Sequence, residues 1–154
     1  MGIAALITWL VTAAGGFVML GTWIARGGLR QRAEGSSPNS SFPPALIFGH
    51  FLLAAVGLVV WIAYVLLDRN VLAWVALGLL APVAVLGFVM LGRWLTIYRS
   101  RVAVAASTAH GAATAQTGTP AESHFPVPVV VGHGLLAVAT VVLVLLTALG
   151  VAGS

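Results

Sequence analysis

Cysteine and lysine do not occur among the 154 residues, and there are only three acidic side chains, Glu34, Asp68 and Glu122. Without cysteine there is no disulfide, zinc–thiolate site, iron–sulfur cluster or thiol nucleophile. Charged residues make up 6% of the chain, against about a quarter in a typical soluble domain. That scarcity excludes a soluble globular domain, a disordered tail and a nucleic-acid binder with a basic patch. The isoelectric point near 11.3 reflects how few charges are counted, since the seven cations are all arginines. The three carboxylates fall in loops or at helix ends, so no acid pair is expected inside a bilayer for proton relay or general acid–base work. No Ser-His-Asp constellation and no phosphate-binding glycine loop after a strand can be assembled either.

What is abundant is apolar: 60% hydrophobic residues and a mean hydropathy of +1.09. An integral membrane protein of one compact unit is expected, all-α, with no room for a second domain. A helix crosses the hydrocarbon core with about 20 mostly apolar residues. Four stretches qualify, from about Ile3 to Ile24, Pro43 to Leu67, Val71 to Tyr98 and Pro126 to Gly150. Asp68-Arg69-Asn70 is the whole turn between the second and third, which makes those helices antiparallel neighbours. Pro82 is expected to kink the third. Arg26, Arg30 and Arg32 follow the first helix, and Arg93, Arg99 and Arg101 accompany the end of the third, whereas Arg69 alone lies on the other side. Positive loops stay in the cytoplasm, so both termini are expected outside. Met1 is followed by no basic n-region, so no cleaved signal peptide is expected. Leu6 stands where a myristoylation signal has Ser or Thr. Trp9, Trp23, Trp74 and Trp94 lie toward helix ends, as an aromatic belt would. The loop from Val102 to Ser123, rich in Ala, Thr, Ser and Gly, is expected to be flexible.

The chain also repeats itself. Gly16-Phe17-Val18-Met19-Leu20-Gly21-Thr22-Trp23 recurs as Gly87-Phe88-Val89-Met90-Leu91-Gly92-Arg93-Trp94, identical but for Thr22 and Arg93. Phe42-Pro43 leads to Gly49-His50, and Phe125-Pro126 leads to Gly132-His133 at the same spacing. Rare residues recurring in order point to two tandem-duplicated helical hairpins, residues 1–69 and 70–154. Each hairpin returns the chain to the side where it began, so the copies are parallel, with a pseudo-two-fold axis along the membrane normal.

His50 and His133 are the informative residues. Each lies seven residues past the proline that opens its helix, roughly 10 Å along the axis, below the headgroups. Ionisable residues at that depth usually face the bundle interior and often mark function. A stripe of His50, Leu53, Ala54, Gly57, Trp61 and Tyr64 shares one face, matched by His133, Leu136, Ala137, Thr140, Val144 and Thr147. The small residues beneath each His suit close helix packing or a slot for a flat cofactor. Met19 and Met90 are expected near the same level. His110 reads as solvated in its loop, and His124 sits at a loop edge.

Three readings follow from this layer. In the first, one haem b takes His50 and His133 as axial ligands. Met19 and Met90 line or replace them, Gly49 and Gly132 relieve crowding at the ring, and Arg26, Arg30 or Arg93 pairs with the propionates. In the second, each His donates to a carbonyl or a Thr on a neighbouring helix, and the Met side chains fill core gaps. The third is a Cu(I) ion on imidazole and thioether.

With Gly49-His50 and Gly132-His133 on paired helices, the layout resembles small four-helix membrane cytochromes of the b type. The resemblance is architectural and covers the four helices. It implies haem b, one-electron transfer and a place alone or in a respiratory assembly. Members of that group often hold two haems, one near each face. Here the outer half has no His, so a second bis-His haem is not expected. The Ala- and Val-rich, lysine-free composition suggests the cytoplasmic membrane of a high-GC bacterium. The lipid bilayer is the expected partner, with other membrane or redox subunits as further candidates. The opposing expectation is a non-catalytic accessory or scaffold subunit with no cofactor.

Overall fold

The computed structural model describes residues 1–29, 40, 42–108 and 120–151. Arg30, Arg32, Glu34, His110 and the middle of the loop expected to be flexible lie outside the described residues. The architecture is all-helical, with no strand among the described residues: α1 (Gly2–Ala25), α2 (Pro44–Leu67), α3 (Asn70–Thr108) and α4 (Val127–Ala148). A short 3-10 turn, Ala121–His124, precedes α4. All four helices are long and apolar enough to cross a membrane.

The helix ends follow from local chemistry. Pro43 and Pro44 open α2, and Pro126 and Pro128 open α4, where a missing N–H leaves no helical bond unmade. At the end of α1, Gly28 N–H bonds Trp23 O and Gly27 N–H bonds Ile24 O, with Gly27 at φ 83°. This is a Schellman stop, which needs a left-handed residue. The end of α4 repeats it, with Val151 N–H on Leu146 O, Gly150 N–H on Thr147 O and Gly150 at φ 70°. Asp68, at φ 51°, turns the chain from α2 into α3.

One boundary differs from expectation. α3 continues past the expected end at Tyr98 to Thr108, a helix of 39 residues. At 1.5 Å per residue that is about 58 Å, well beyond a hydrocarbon core of about 30 Å. Arg99 and Arg101 end the apolar run without ending the helix, because Arg and the following Ala residues are good helix formers. Residues 102–108 are therefore helix, not flexible loop, and Ala121–His124 is ordered as a turn. Pro82 does not interrupt α3.

The most extensive contacts join α1 to α4 and α2 to α3; α3 meets α4 less, and α1 meets α2 least. The bundle is thus two tight helix pairs laid side by side. Two clusters fill it. One, at the end holding Met1 and Gly150, comprises Ala5, Trp9, Trp61, Ala73, Ala76, Leu80, Val144 and Ala148. The other, at the arginine-rich end, comprises Trp23, Phe42, Ile47, Trp94, Ala121 and Val130. Trp9, Trp23 and Trp94 are therefore buried core residues, contrary to a belt role, and only Trp74 of the expected four is exposed. The reason is space: the indole of Trp9 lies against Gly57, and the indole N–H of Trp61 finds Gly2 O at 3.1 Å. Buried Trp needs such an acceptor.

Candidate functional site: a histidine pair between helix pairs

His50 is the seventh residue of α2 and His133 the seventh of α4. Their rings meet inside the bundle with centroids 6.5 Å apart and planes inclined by 53°. Both side chains are half-buried, and every other residue of the two stripes is at least partly buried. Each imidazole is anchored to the neighbouring helix of its own tight pair. His50 Nδ1 lies 3.0 Å from Val83 O on α3, and His133 Nδ1 lies 2.8 Å from Thr12 O on α1. A carbonyl oxygen only accepts, so each Nδ1 carries the hydrogen. In the neutral ring that leaves the lone pair on Nε2, which is how a metal-ligating His is usually oriented by its outer partner.

Glycines let the rings lie this close to α1 and α3. A Cβ on Gly16 would stand 3.4 Å from His133 Cε1, one on Gly15 would stand 3.5 Å from His133 Cβ, and one on Gly87 would stand 3.3 Å from His50 Cε1. Gly49 and Gly132, the glycines singled out beside each His, face open space by the same measure. The recurring octapeptide carried the missed signal, because Gly16 and Gly87 are its first residues. Beneath His50, the small residue Gly57 serves close packing: a Cβ there would stand 3.1 Å from the indole of Trp9.

Toward the arginine-rich end, Met19 and Met90 pack against the cluster of Trp23, Ile47, Trp94 and Val130. Each lies three residues beyond the glycine that meets an imidazole, about 4.5 Å along the axis. The aromatic rings of Phe42 and Phe125 face each other at 6.3 Å at the same end. Arg26 and Arg93 are exposed there. His124 lies outside the pair, its Nδ1 3.2 Å from Ser123 Oγ. Sequence reasoning also missed Glu122, which is fully buried in the 3-10 turn; its neighbour Ser123 accepts, through its carbonyl, a hydrogen bond from the Arg101 guanidinium.

Among the described residues no third His, Cys, Asp or Glu joins the two imidazoles. The pair is a two-ligand arrangement, suited to a centre whose other ligands come from elsewhere. The sequence matches no protein-family model, no curated protein and no solved structure.

Proposed function

We propose that the chain is a multi-pass protein of the bacterial cytoplasmic membrane that holds one haem b between His50 and His133 and passes single electrons, alone or within a larger respiratory assembly. The observation that carries this is the facing pair of imidazoles, each tied through Nδ1 to a main-chain carbonyl of a neighbouring helix. The donor set fits the group. His50 and His133, with ring centroids 6.5 Å apart, would hold it through Nε2, the nitrogen whose lone pair the Nδ1 bonds leave available. Haem b would supply a one-electron iron couple there. The chain's own residues fix the ring orientation through Thr12 and Val83 and seal the lower side with Trp9, Trp61 and Leu80. They line the upper side with Met19 and Met90 and offer Arg26 and Arg93 as cations for carboxylates.

Within this reading the helices are two copies of one hairpin. In its support, residues at matching repeat positions play matching parts. His50 and His133 touch, as do Phe42 and Phe125. Their anchors, Val83 and Thr12, differ by the same 71 positions as Gly87 and Gly16. The arginine-rich end lies in the cytoplasm and both termini lie outside.

A second reading is favoured by the same hydrogen bonds. A His that donates to a buried carbonyl already satisfies a polar side chain, and two such bonds pin α2 to α3 and α4 to α1. The chain would then be an accessory subunit without a redox group. A reduced-minus-oxidised spectrum of protein purified in mild detergent separates the two. A haem α band is expected, absent from both His50→Ala and His133→Ala. A colourless, folded preparation from haem-replete cells sinks the haem reading, and copper in metal analysis of that sample would assign the pair to Cu(I).

A further inference from the structure

The stripe beneath each histidine ends in a hydroxyl. Tyr64 on α2 and Thr147 on α4 stand 83 positions apart, as His50 and His133 do, and each lies 14 residues beyond its imidazole. At 1.5 Å per residue that is about 21 Å along the axis, at the end holding Met1, where α1 and α3 begin and α2 and α4 finish. There the two residues line one cavity of about 210 Å³, with Asp68 and Asn70 of the α2–α3 turn and Gly2 at the start of α1. At about 30 Å³ per water molecule, that is the space of about seven waters, far more than a bare ion fills. Tyr64 is held in place at the cavity wall. Its ring packs on Trp61 with centroids 4.7 Å apart, the Trp61 indole N–H is tied to Gly2 O, and a Cβ on Gly2 would stand 3.4 Å from Tyr64 Cε1.

The lining is rich in acceptors. Thr147 is buried, and its hydroxyl hydrogen is committed to Leu143 O at 2.7 Å, so its oxygen has only lone pairs left to offer. Asp68 caps α2 in the left-handed conformation with its carboxylate exposed, and an ionised carboxylate only accepts. Among the described residues, neither the Tyr64 hydroxyl nor the side chains of Asp68 and Asn70 hydrogen-bond another protein group. The poles of the four helices offset one another here, two N-termini against two C-termini, which leaves the Asp68 charge and the oxygen lone pairs to select the ligand. We propose that the cavity binds a primary ammonium group, with Asp68 as its counter-ion and the oxygens of Tyr64 and Thr147 accepting from its N–H groups. An ammonium is compact and carries three donors. A metal ion is a poorer match, because hard cations take six or more oxygens and no group of three His, Cys, Asp or Glu gathers among the described residues. An anion would meet the Asp68 carboxylate. Two sources present this chemistry, the amino headgroup of a phospholipid and a free amine in solution. The histidine pair takes no part, so the site does not depend on the haem reading.

Calorimetric titration of the full chain in mild detergent tests this. The probes are ethanolamine, choline, dihexanoyl phosphatidylethanolamine and dihexanoyl phosphatidylcholine. The ethanolamine form should bind at least about tenfold more tightly than its choline counterpart, whose methyl groups replace every N–H and so remove the charge-assisted hydrogen bonds. Asp68→Asn keeps a residue that tolerates the left-handed turn, and Tyr64→Phe removes only a hydroxyl. Each should melt with the wild type and lower the affinity, Asp68→Asn by at least about tenfold because it removes the charge from the acceptor. Binding of ethanolamine itself assigns a free amine as sufficient. Binding of the phospholipid alone assigns the headgroup, held in part through its chains. Both outcomes uphold the ammonium site. Choline forms that bind as tightly as ethanolamine forms, no binding of any probe, or undiminished affinity in folded Asp68→Asn or Tyr64→Phe overturns it and leaves the histidine pair untouched.

Discussion

A histidine in an apolar bundle is costly unless its nitrogens have partners, and here main-chain carbonyls meet that need at Thr12 and Val83. The glycines opposite decide how close the rings come. Gly87→Ala puts a methyl 3.3 Å from His50 Cε1, so the ring must give by a few tenths of an ångström, and Gly16→Ala puts one in contact with His133 Cε1 at 3.4 Å. We expect each to forfeit the gain of up to about 1 kcal/mol that alanine brings to a helix interior, Gly87→Ala the more so, in detergent-unfolding titrations. Gly49→Ala and Gly132→Ala meet nothing and should be neutral or gain up to about 1 kcal/mol from helix propensity. Equal effects at all four positions would refute the assignment of Gly16 and Gly87 to the rings. The pairing of His50 with His133 was legible in the sequence, because an equal spacing from a helix-opening proline sets equal depth. The glycines that make room for them were not, because they sit on other helices and only tertiary contact connects them.

The four helices were equally legible, since long charge-free runs leave few alternatives. Misreadings came where one signal was asked to mark two things. Arg99 and Arg101 mark where apolar burial ends, not where α3 ends. Trp near a helix end suits a lipid interface or a core, and neighbouring small residues decide which. Trp9 illustrates the second case, since Gly57 on α2 leaves room for its indole. Gly57→Ala would place a methyl 3.1 Å from that rigid ring and should destabilise the fold by about 1–3 kcal/mol. Combining it with Trp9→Phe, which shortens the ring, should restore much of the loss. A double-mutant cycle showing simple additivity would dissociate Trp9 from this contact. The two helix pairs also differ in what joins them. α1 and α4 share a hydroxyl contact, Thr140 Oγ1 to Thr8 Oγ1, whereas a short turn ties α2 to α3.

For the molecule as a whole, exposed side chains such as Ile3, Leu52, Val59, Leu66, Val71, Phe88 and Leu135 form an apolar exterior, the surface a bilayer would cover. Arginines of the described residues gather at one end as Arg26, Arg93, Arg99 and Arg101, with Arg69 alone at the other. Placing the rich end in the cytoplasm predicts that a carboxy-terminal alkaline phosphatase fusion is active in bacterial cells while a green fluorescent protein fusion at the same point stays dark. The reverse pattern would invert the topology and place the histidine pair nearer the outer leaflet.

The pairing of α1 with α4 also governs biogenesis. The helix with which α1 makes its broadest contact is made after the other three, while α2 and α3 can dock as soon as α3 is complete. A nascent chain therefore holds α1 without its main neighbour, and the carbonyl of Thr12 waits for an imidazole synthesised 121 residues later. Any prosthetic group that needs both histidines can be acquired only after α4 has been made.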